Sequence, residues 1–211
     1  MATVKVCETF VSLQGESTYA GGPCFFVRLA GCNLHCRYCD TPTAAGEGTD
    51  TAVDALVEAY RTGGVAMAEI TGGEPLLQAG FGELARRLRD SGARPLLVET
   101  NGSLSLAAIP DGVIAVMDVK CPASGESAAM DWGNVARLRR TDEVKFVLSD
   151  RADFEWAAAQ VRERALAEKC HAVLFSPVHG ALEAAALGQW ILDARLPVRL
   201  QVPLHKLLKM K

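Results

Sequence analysis

The 211-residue sequence has no long apolar run. Its first residues, MATVKVCETFVSLQGES, contain no apolar stretch of signal-peptide length, and no later segment approaches the length of a membrane span. We therefore expect a cytoplasmic protein with no membrane partner. A charge excess is also missing, because the formal net charge is only −3. That balance gives no reason to expect nucleic acid as a partner.

Low-complexity segments, blocks of like charge and short repeats are absent too. The length is sufficient for one domain with a substantial core, and 49% of the residues are apolar. We predict a single domain over residues 1–211.

Cysteine, in contrast, is plentiful, with seven residues. An odd count without an export signal argues against a disulfide framework, and clustered cysteines in a reducing compartment are more often metal ligands or catalytic groups. Three of them fall close together, at Cys32, Cys36 and Cys39. The other four cysteines are scattered along the chain. We expect three of them to be inert buried thiols, namely Cys7, Cys24 and Cys170. The fourth is Cys121.

Short β-rich runs alternate with amphipathic runs along the chain. The predicted strands are Phe25–Leu29, Ala66–Thr71, Pro95–Thr100, Val113–Val119, Glu143–Leu148, Ala172–Phe175 and Val198–Val202. The predicted helices are Ala52–Thr62, Leu77–Ser91, Asp131–Arg139, Arg151–Glu168 and Ala181–Ala194. In the fourth helix the buried stripe is predicted at helical spacing: Phe154, Ala158, Val161 and Ala165.

This alternation predicts an α/β fold with a parallel sheet and right-handed crossovers. A complete eight-fold barrel needs about 250 residues, and this chain shows only about six β/α units. We therefore predict an open, partial (β/α)6-type barrel with shortened helices and loops. The N-terminal run VKVCETFVSL is expected to add a strand or hairpin on one side.

Nearly every distinctive polar or glycine-rich segment follows the end of a predicted strand. The cysteine loop follows the first strand, Thr71-Gly72-Gly73-Glu74-Pro75 the second, and Glu99-Thr100-Asn101-Gly102 the third. Asp118 and Lys120 end the fourth, Ser176 follows the sixth, and His205 follows the last. In parallel sheets these positions meet at one rim, where the chemistry gathers.

The cysteine loop, GCNLHCRYCDT at residues 31–41, has the spacing C-x3-C-x2-C. Thiolates suit soft metals, which leaves zinc and iron–sulfur clusters as the main candidates. A zinc site would need a fourth ligand, and His35 could complete a Cys3His set within this one short loop. Three thiolates on a [4Fe–4S] cluster would leave one iron with an open position for a reactive ligand.

Together these segments resemble the radical S-adenosylmethionine (SAM) superfamily. The resemblance rests on the cysteine spacing, on the aromatic residue before the last cysteine and on the T-G-G-E-P segment. It implies that three cysteines hold a [4Fe–4S] cluster whose open iron binds SAM. It further implies a set of residues that contact SAM: Arg37, Tyr38, Gly73, Glu74, Glu99, Asn101, Lys120 and Ser176.

Two further features point to a small anionic substrate. Leu13-Gln14-Gly15-Glu16 can present an amide and a carboxylate to an aminopyrimidinone edge, which offers both donors and acceptors. Arg28 lies in an apolar strand, where an unpaired guanidinium is costly and a bound carboxylate would pair with it. An acid on a neighbouring strand is the alternative partner for Arg28.

Almost the whole chain resembles the 7-carboxy-7-deazaguanine synthase family. Beyond the segments above, the resemblance rests on C-D-T after the last cysteine, on E-T-N-G and on a Q-x-x-x-H-K tail. The resemblance implies a homodimer that converts 6-carboxy-5,6,7,8-tetrahydropterin to 7-carboxy-7-deazaguanine with loss of ammonia, as in queuosine biosynthesis. It implies an electron donor such as flavodoxin, no catalytic side chain beyond the radical carried by the cofactor, and Mg2+ on the Thr41 hydroxyl. The substrate would be bound by Leu13, Gln14, Gly15, Glu16, Arg28, Thr71 and His205.

Two other functions remain open from the sequence. A glycyl-radical-enzyme activase shares the cysteine spacing, the G-G-E-P segment and the D-x-K segment at Asp118–Lys120, but would act on a partner protein. A non-catalytic zinc or iron–sulfur module would leave the other rim residues without a role. The pairing of Asp118 with Lys120 could also be purely structural.

Overall fold

The computed structural model describes residues 2–210 and shows a nine-stranded open sheet flanked by helices. The strands are β1 Thr3–Leu13, β2 Pro23–Leu29, β3 Thr49–Ala52, β4 Met67–Gly72, β5 Leu96–Thr100, β6 Ile114–Lys120, β7 Glu143–Leu148, β8 Ala172–Pro177 and β9 Arg199–Leu200. The helices are α1 Val53–Gly63, α2 Phe81–Asp90, α3 Arg151–Glu163, α4 Ala184–Ala194 and α5 Leu204–Leu208. None of the described helices is long and apolar enough to cross a bilayer.

The sheet order is β3-β1-β2-β4-β5-β6-β7-β8-β9. All neighbours from β2 to β9 are parallel, whereas β1 runs antiparallel to both β2 and β3. The predicted open barrel is therefore confirmed, and the N-terminal run forms the expected hairpin with β2. The sequence did not predict β3 or α5, which are short and carry weak patterns.

The apolar core lies between the sheet and its helices because each helix turns one stripe inward. In α1, for example, Val53, Leu56, Val57 and Tyr60 are buried. A smaller cluster of Cys24, Phe26, Met67 and Leu97 fills part of the other face of the sheet. Cys24 and Cys170 are buried as expected, while Cys7 is only half-buried.

The predicted helix at Asp131–Arg139 is wrong: only a 3-10 turn forms there, at Trp132–Ala136. The reason lies in the buried Asn134. Its amide donates to the carbonyls of Gly102 and Leu104, at 3.2 and 2.8 Å, and its oxygen accepts from the Leu106 N–H at 2.9 Å. These bonds fasten the segment to the loop after β5, which helical periodicity cannot indicate.

Three other helices are shorter than predicted, and the fifth of the predicted set begins at Ala184 instead of Ala181. The fourth predicted helix stops at Glu163 because Ala165 has a left-handed backbone with φ of 50°, and Leu166 is buried in place of Ala165. The second begins at Phe81, because Gln78 is extended. The Gln78 side chain bonds both the N–H and the carbonyl of Lys5, at 2.7 and 2.8 Å, and so ties this loop to β1.

An aromatic cluster joins the sheet to α3. The Phe175 ring packs edge-on against Phe146 and Phe154, with centroids 5.4 and 5.9 Å apart. Phe175→Ala would remove the ring at the centre of this cluster, and we expect it to lower the free energy of unfolding by about 3–5 kcal/mol.

Urea unfolding followed by circular dichroism measures this loss. Leu192→Ala is the control because Leu192 is 70% exposed, and its cost should stay within ~0.5 kcal/mol. Equal costs for the two variants would contradict the assignment of Phe175 to the core.

Candidate active site

A cavity of about 460 Å³ opens at the carboxyl ends of the parallel strands. Its wall is formed by the turn after β1, the cysteine loop, the ends of β4 to β8 and the C-terminal segment with α5. The rim predicted from the sequence is therefore one continuous space, of a size suited to small-molecule ligands.

Most predicted site residues line this cavity. All the predicted substrate residues do so: Leu13, Gln14, Gly15, Glu16, Arg28, Thr71 and His205. The predicted metal ligands Cys32, Cys36, Cys39 and Thr41 line it as well, as do six of the predicted SAM contacts, namely Tyr38, Gly73, Glu99, Asn101, Lys120 and Ser176. Arg37 and Glu74 are outside the cavity wall.

The cysteine loop is set by its own backbone and by two neighbouring turns. The Cys32 sulfur accepts from the Leu34 N–H at 3.5 Å and from the Asn101 amide at 3.8 Å, which are the hydrogen bonds that stabilise a thiolate. Burial raises the pKa of the Cys36 thiol, while the nearby Lys120 ammonium acts to lower it. Among residues 2–210, no group of three His, Cys, Asp or Glu side chains is placed so that it could hold a single metal ion.

Other parts of the loop are fastened to the turn after β6. The Arg37 N–H donates to the Ser124 carbonyl at 2.9 Å, and the His35 N–H donates to Glu126 Oε1 at 2.8 Å. Arg37 itself is exposed. The Tyr38 hydroxyl donates to the Val147 carbonyl at 3.0 Å, which holds its ring beside the end of β7.

The two glycines after β4 are required by close packing of backbone on backbone. A Cβ added at Gly72 would lie 2.1 Å from the Leu29 carbonyl oxygen, and one at Gly73 would lie 2.2 Å from that of Gly31. Gly72 also has φ of 146°. The pair therefore presses the end of β4 against the start of the cysteine loop, besides exposing Gly73 to the cavity.

Glu74 departs from its expected place. It is fully buried, and its carboxylate accepts from the Leu76 N–H at 2.9 Å, the Asn101 N–H at 2.7 Å and the Thr100 hydroxyl at 2.9 Å. Burial raises the pKa of Glu74, and these hydrogen bonds partly offset the rise. Its side chain therefore joins the loop after β4 to the end of β5 and turns no oxygen towards the cavity.

Charged side chains gather inside the cavity in what we call the interior charge cluster: Glu16, Glu69, Glu99, Asp118, Lys120 and Lys145. Lys145 Nζ lies 2.6 Å from Glu16 Oε2 and 3.2 Å from Asp118 Oδ2, and it also contacts Glu99 Oε1. Asp118 pairs with Lys120 at 3.0 Å, so the structural pairing considered for these two exists. Among the described buried side chains, Asp118 Oδ1 has no hydrogen-bond partner.

Sequence reasoning missed Glu69 and Lys145. Both lie inside strands, before the loops that carry the recognisable motifs. Both could have been found by the reasoning applied to Arg28, because a charged residue in an apolar strand needs a buried partner. The structure also places Glu99, which was expected to contact SAM, in contact with Lys145 beside Glu16.

Gln14 is 3% exposed and is not a solvated turn residue. Its amide donates to Glu69 Oε2 at 2.5 Å, and its oxygen accepts from the Glu16 N–H at 3.1 Å. Burial first, and then the neighbouring Glu99 carboxylate, raise the pKa of Glu69 to about 8. The carboxyl group of Glu69 is thus largely protonated at neutral pH.

Arg28 has the cross-strand partner that the sequence left as an alternative. Its Nε donates to Glu8 Oε1 at 3.0 Å, and the guanidinium lies 5.8 Å from the centre of the Phe10 ring. The strand register places Arg28 beside Thr71 on β4. A ligand carboxylate at this position would share the guanidinium with Glu8.

The C-terminal segment packs over the turn after β1. The Leu204 N–H donates to the Gly15 carbonyl at 2.8 Å, and Gln201 Oε1 accepts from the Ser17 N–H at 2.7 Å. Lys206 pairs with Asp40 at 3.1 Å. Burial, reinforced by Lys206, lowers the pKa of His205. Lys211 lies outside the described residues.

Thr41 is the last residue of the cysteine loop and precedes a 3-10 turn at Pro42–Ala45. A threonine beside a proline often caps such a turn. Here the Thr41 side chain makes no capping hydrogen bond, although the residue lines the cavity.

The chain is similar in sequence to a known family and to curated proteins. Residues 27–117 match the model of the radical SAM superfamily. The chain is 40% identical to the 7-carboxy-7-deazaguanine synthase of Koribacter versatilis, covering 96% of each chain. It is also 40% identical to that of Chlorobaculum tepidum, over 97% of this chain and 94% of the relative.

Solved structures show the same fold. The crystal structure of QueE from Escherichia coli superposes with a TM-score of 0.79 at 20% identity, over 96% of this chain and 95% of that one. The crystal structure of Streptococcus suis SuiB bound to S-adenosylmethionine gives a TM-score of 0.56 at 12% identity, over 82% of this chain and 45% of that one.

The contact between Gly15 and the C-terminal segment can be tested by substitution. A Cβ at Gly15 would lie 2.2 Å from His205 Nδ1 and 3.0 Å from its Cβ, so His205 must move. We expect Gly15→Ala to cost about 1–3 kcal/mol of packing and to expose the segment. Trypsin should then cleave after Lys206 faster than in the wild type.

Gly82→Ala is the matched control, because the nearest atom to its added Cβ is 3.5 Å away. It should leave the tryptic pattern unchanged. If Gly15→Ala also gave the wild-type tryptic pattern, the C-terminal segment would not pack on Gly15.

The raised pKa of Glu69 predicts a pH-dependent stability. The unfolded carboxyl ionises near 4.5 and the folded one near 8, so the stability that Glu69 provides is present below pH 4.5 and is lost as pH rises through 8. Glu69→Gln keeps an acceptor for Gln14 without titrating. We expect its Tm relative to wild type to rise between pH 5 and pH 8, by roughly 2–4 °C for each kcal/mol involved.

Differential scanning calorimetry at the two pH values measures this change. The exposed Glu163→Gln serves as the control and should show no pH-dependent difference from wild type. If Glu69→Gln behaved like that control, Glu69 would not be held protonated in the folded protein.

Proposed function

The chain belongs to the 7-carboxy-7-deazaguanine synthase family of the radical SAM superfamily, and from this premise we propose that it converts 6-carboxy-5,6,7,8-tetrahydropterin to 7-carboxy-7-deazaguanine with loss of ammonia. One observation carries the proposal. The same cavity is lined by Cys32, Cys36 and Cys39 and by the amide, carboxylate and guanidinium groups expected to recognise a carboxylated pterin.

The chemistry of the donor set fits a [4Fe–4S] cluster. Three thiols line the cavity, and two N–H donors point at the Cys32 sulfur. When bound, the reduced cluster and SAM supply a carbon-centred radical that can take a hydrogen atom from substrate. SAM would then be contacted by Gly73, Asn101, Lys120 and Ser176. The ring of Tyr38 would lie near the adenine of SAM.

Three of the expected SAM contacts, Glu74, Arg37 and Glu99, have a different role in this proposal, and the Glu99 carboxylate contacts Lys145. Glu74 would support the SAM site without contacting SAM, because its carboxylate already accepts hydrogen bonds from Leu76, Thr100 and Asn101. Arg37, which is exposed, anchors the cysteine loop through its backbone.

The substrate would lie against the turn after β1. The turn Leu13–Glu16 and Thr71 would contact the pterin ring, and His205 would close the pocket from the C-terminal segment. Arg28 would bind the substrate carboxylate. Because Glu8 holds the Arg28 Nε, the terminal guanidinium nitrogens are the ones available to that carboxylate.

Thr41 would hold Mg2+ through its hydroxyl. A hard cation with few protein ligands and several waters is typical of magnesium, and the Thr41 hydroxyl is not used in a cap. We also propose a homodimer and a reductant such as flavodoxin. The synthase is favoured over the activase and the non-catalytic module because the relatives from Koribacter versatilis and Chlorobaculum tepidum are both 7-carboxy-7-deazaguanine synthases.

An anaerobic assay tests the reaction. Protein reconstituted with iron and sulfide is incubated with dithionite, SAM, Mg2+ and the carboxytetrahydropterin, and the products are identified by mass spectrometry. We expect a product lighter by one ammonia, with SAM not consumed. Release of 5′-deoxyadenosine with the pterin untouched would retain radical chemistry and reject this substrate.

Thr41→Ala tests the magnesium ligand. We expect the cluster absorbance and iron content to match wild type, while the Mg2+ concentration for half-maximal turnover rises roughly tenfold or more. The exposed Thr62→Ala on α1 is the control and should leave both unchanged. Cys36→Ala, in contrast, should lose cluster absorbance and all turnover. Loss of the cluster in Thr41→Ala would show that Thr41 supports the iron site instead.

A further inference from the structure

Lys145 has no role in the proposed function, yet it lies at the centre of the interior charge cluster. Only 4% of its side chain is exposed. Its ammonium contacts one oxygen of each of three carboxylates, on Glu16, Glu99 and Asp118. Because an ammonium has three N–H donors, these contacts use all of them.

The three acids reach Lys145 from different parts of the fold. Glu16 comes from the turn after β1, Glu99 from β5, and Asp118 from β6, whose register places it directly beside Lys145 on β7. Without the ammonium, the acids would be buried close to one another and to Glu69, an arrangement that costs free energy. Lys145 therefore sets the positions of acids that no shared backbone element holds together.

Two of the three acids are more exposed to the cavity than the third. Glu16 and Glu99 keep 21% and 25% of their side chains exposed, compared with 9% for Asp118. Lys145 uses Oε2 of Glu16 and Oε1 of Glu99. Within residues 2–210, the other oxygen of each accepts no hydrogen bond. The result is a pair of oriented acceptors beside the turn expected to hold the substrate.

We propose that Lys145 is a positioning residue that orients Glu16 and Glu99 to accept hydrogen bonds from the amino and ring N–H groups of the pterin. The inference rests on the proposed function. Its chemical basis is that the aminopyrimidinone edge presents adjacent N–H donors, which carboxylate acceptors complement. Lys145 acts through the two glutamates and does not itself touch the reacting atoms.

Lys145→Met keeps the length of the side chain and removes its charge. Kinetics are measured anaerobically on the reconstituted enzyme with the pterin varied at saturating SAM, and SAM binding is measured separately by equilibrium dialysis. We expect KM for the pterin to rise roughly 10- to 100-fold, with kcat and SAM affinity changed much less. The control is Lys5→Met, which breaks an exposed ion pair with Asp50 and should match wild type.

Glu99→Gln and the double variant complete a cycle. If Lys145 acts through Glu99, Lys145→Met raises KM less in the Glu99→Gln background than in wild type, whereas independent effects would multiply. Should Lys145→Met not fold alone, the double variant has one fewer unpaired carboxylate. The KM of the double variant is then compared with that of Glu99→Gln, and the difference reports the effect of Lys145 on Glu16 alone. Equal KM values in these two variants would overturn the inference that Lys145 orients both glutamates.

Three other results overturn it. An unchanged KM in a folded Lys145→Met would do so, as would fully multiplicative effects in the cycle. Equal losses of pterin and SAM affinity would indicate general disruption of the cavity. In each case wild-type turnover of the pterin would leave the proposed function intact. A wild type that does not convert the pterin would overturn the proposed function and this inference together.

Discussion

The buried ammonium of Lys145 and its three carboxylates form the interaction on which the site depends. Charges removed from water must be paired, and here the partners of one lysine come from β5, β6 and the turn after β1. The pairing joins the strand ends that carry the expected SAM contacts to the turn expected to hold the substrate. The order of the open sheet brings these strand ends together, and the buried charges fix their side chains.

The same principle explains how irregular segments at the rim are held. Glu74 joins the loop after β4 to the end of β5, Gln78 ties that loop to β1, and Asn134 fastens a 3-10 turn to the loop after β5. Each of these amides or carboxylates satisfies backbone groups that a loop cannot pair by itself. Their function is to hold the rim, while residues such as Arg28 and Thr41 remain accessible to ligands.

Much of this arrangement could be predicted from the sequence, because periodicity and strand-end motifs are local signals. The parallel sheet and its open form were predicted in this way, and most of the residues predicted for the site line the cavity. Contacts between distant segments could not be read locally. Asn134 replaces a predicted helix by a turn, Glu74 faces inward although its motif suggests a ligand contact, and Glu69 and Lys145 lie in strands that carry no recognisable motif.

The central claim is that one cavity holds a three-cysteine cluster, SAM and a carboxylated pterin together. An anaerobic crystal structure of the reconstituted protein with SAM and 6-carboxytetrahydropterin tests it most directly. The expected result is a cluster on Cys32, Cys36 and Cys39 with SAM on the remaining iron, and the pterin edge within hydrogen-bond distance of Glu16 and Glu99. A fourth protein ligand on the cluster, or a pterin bound outside this cavity, would contradict the account.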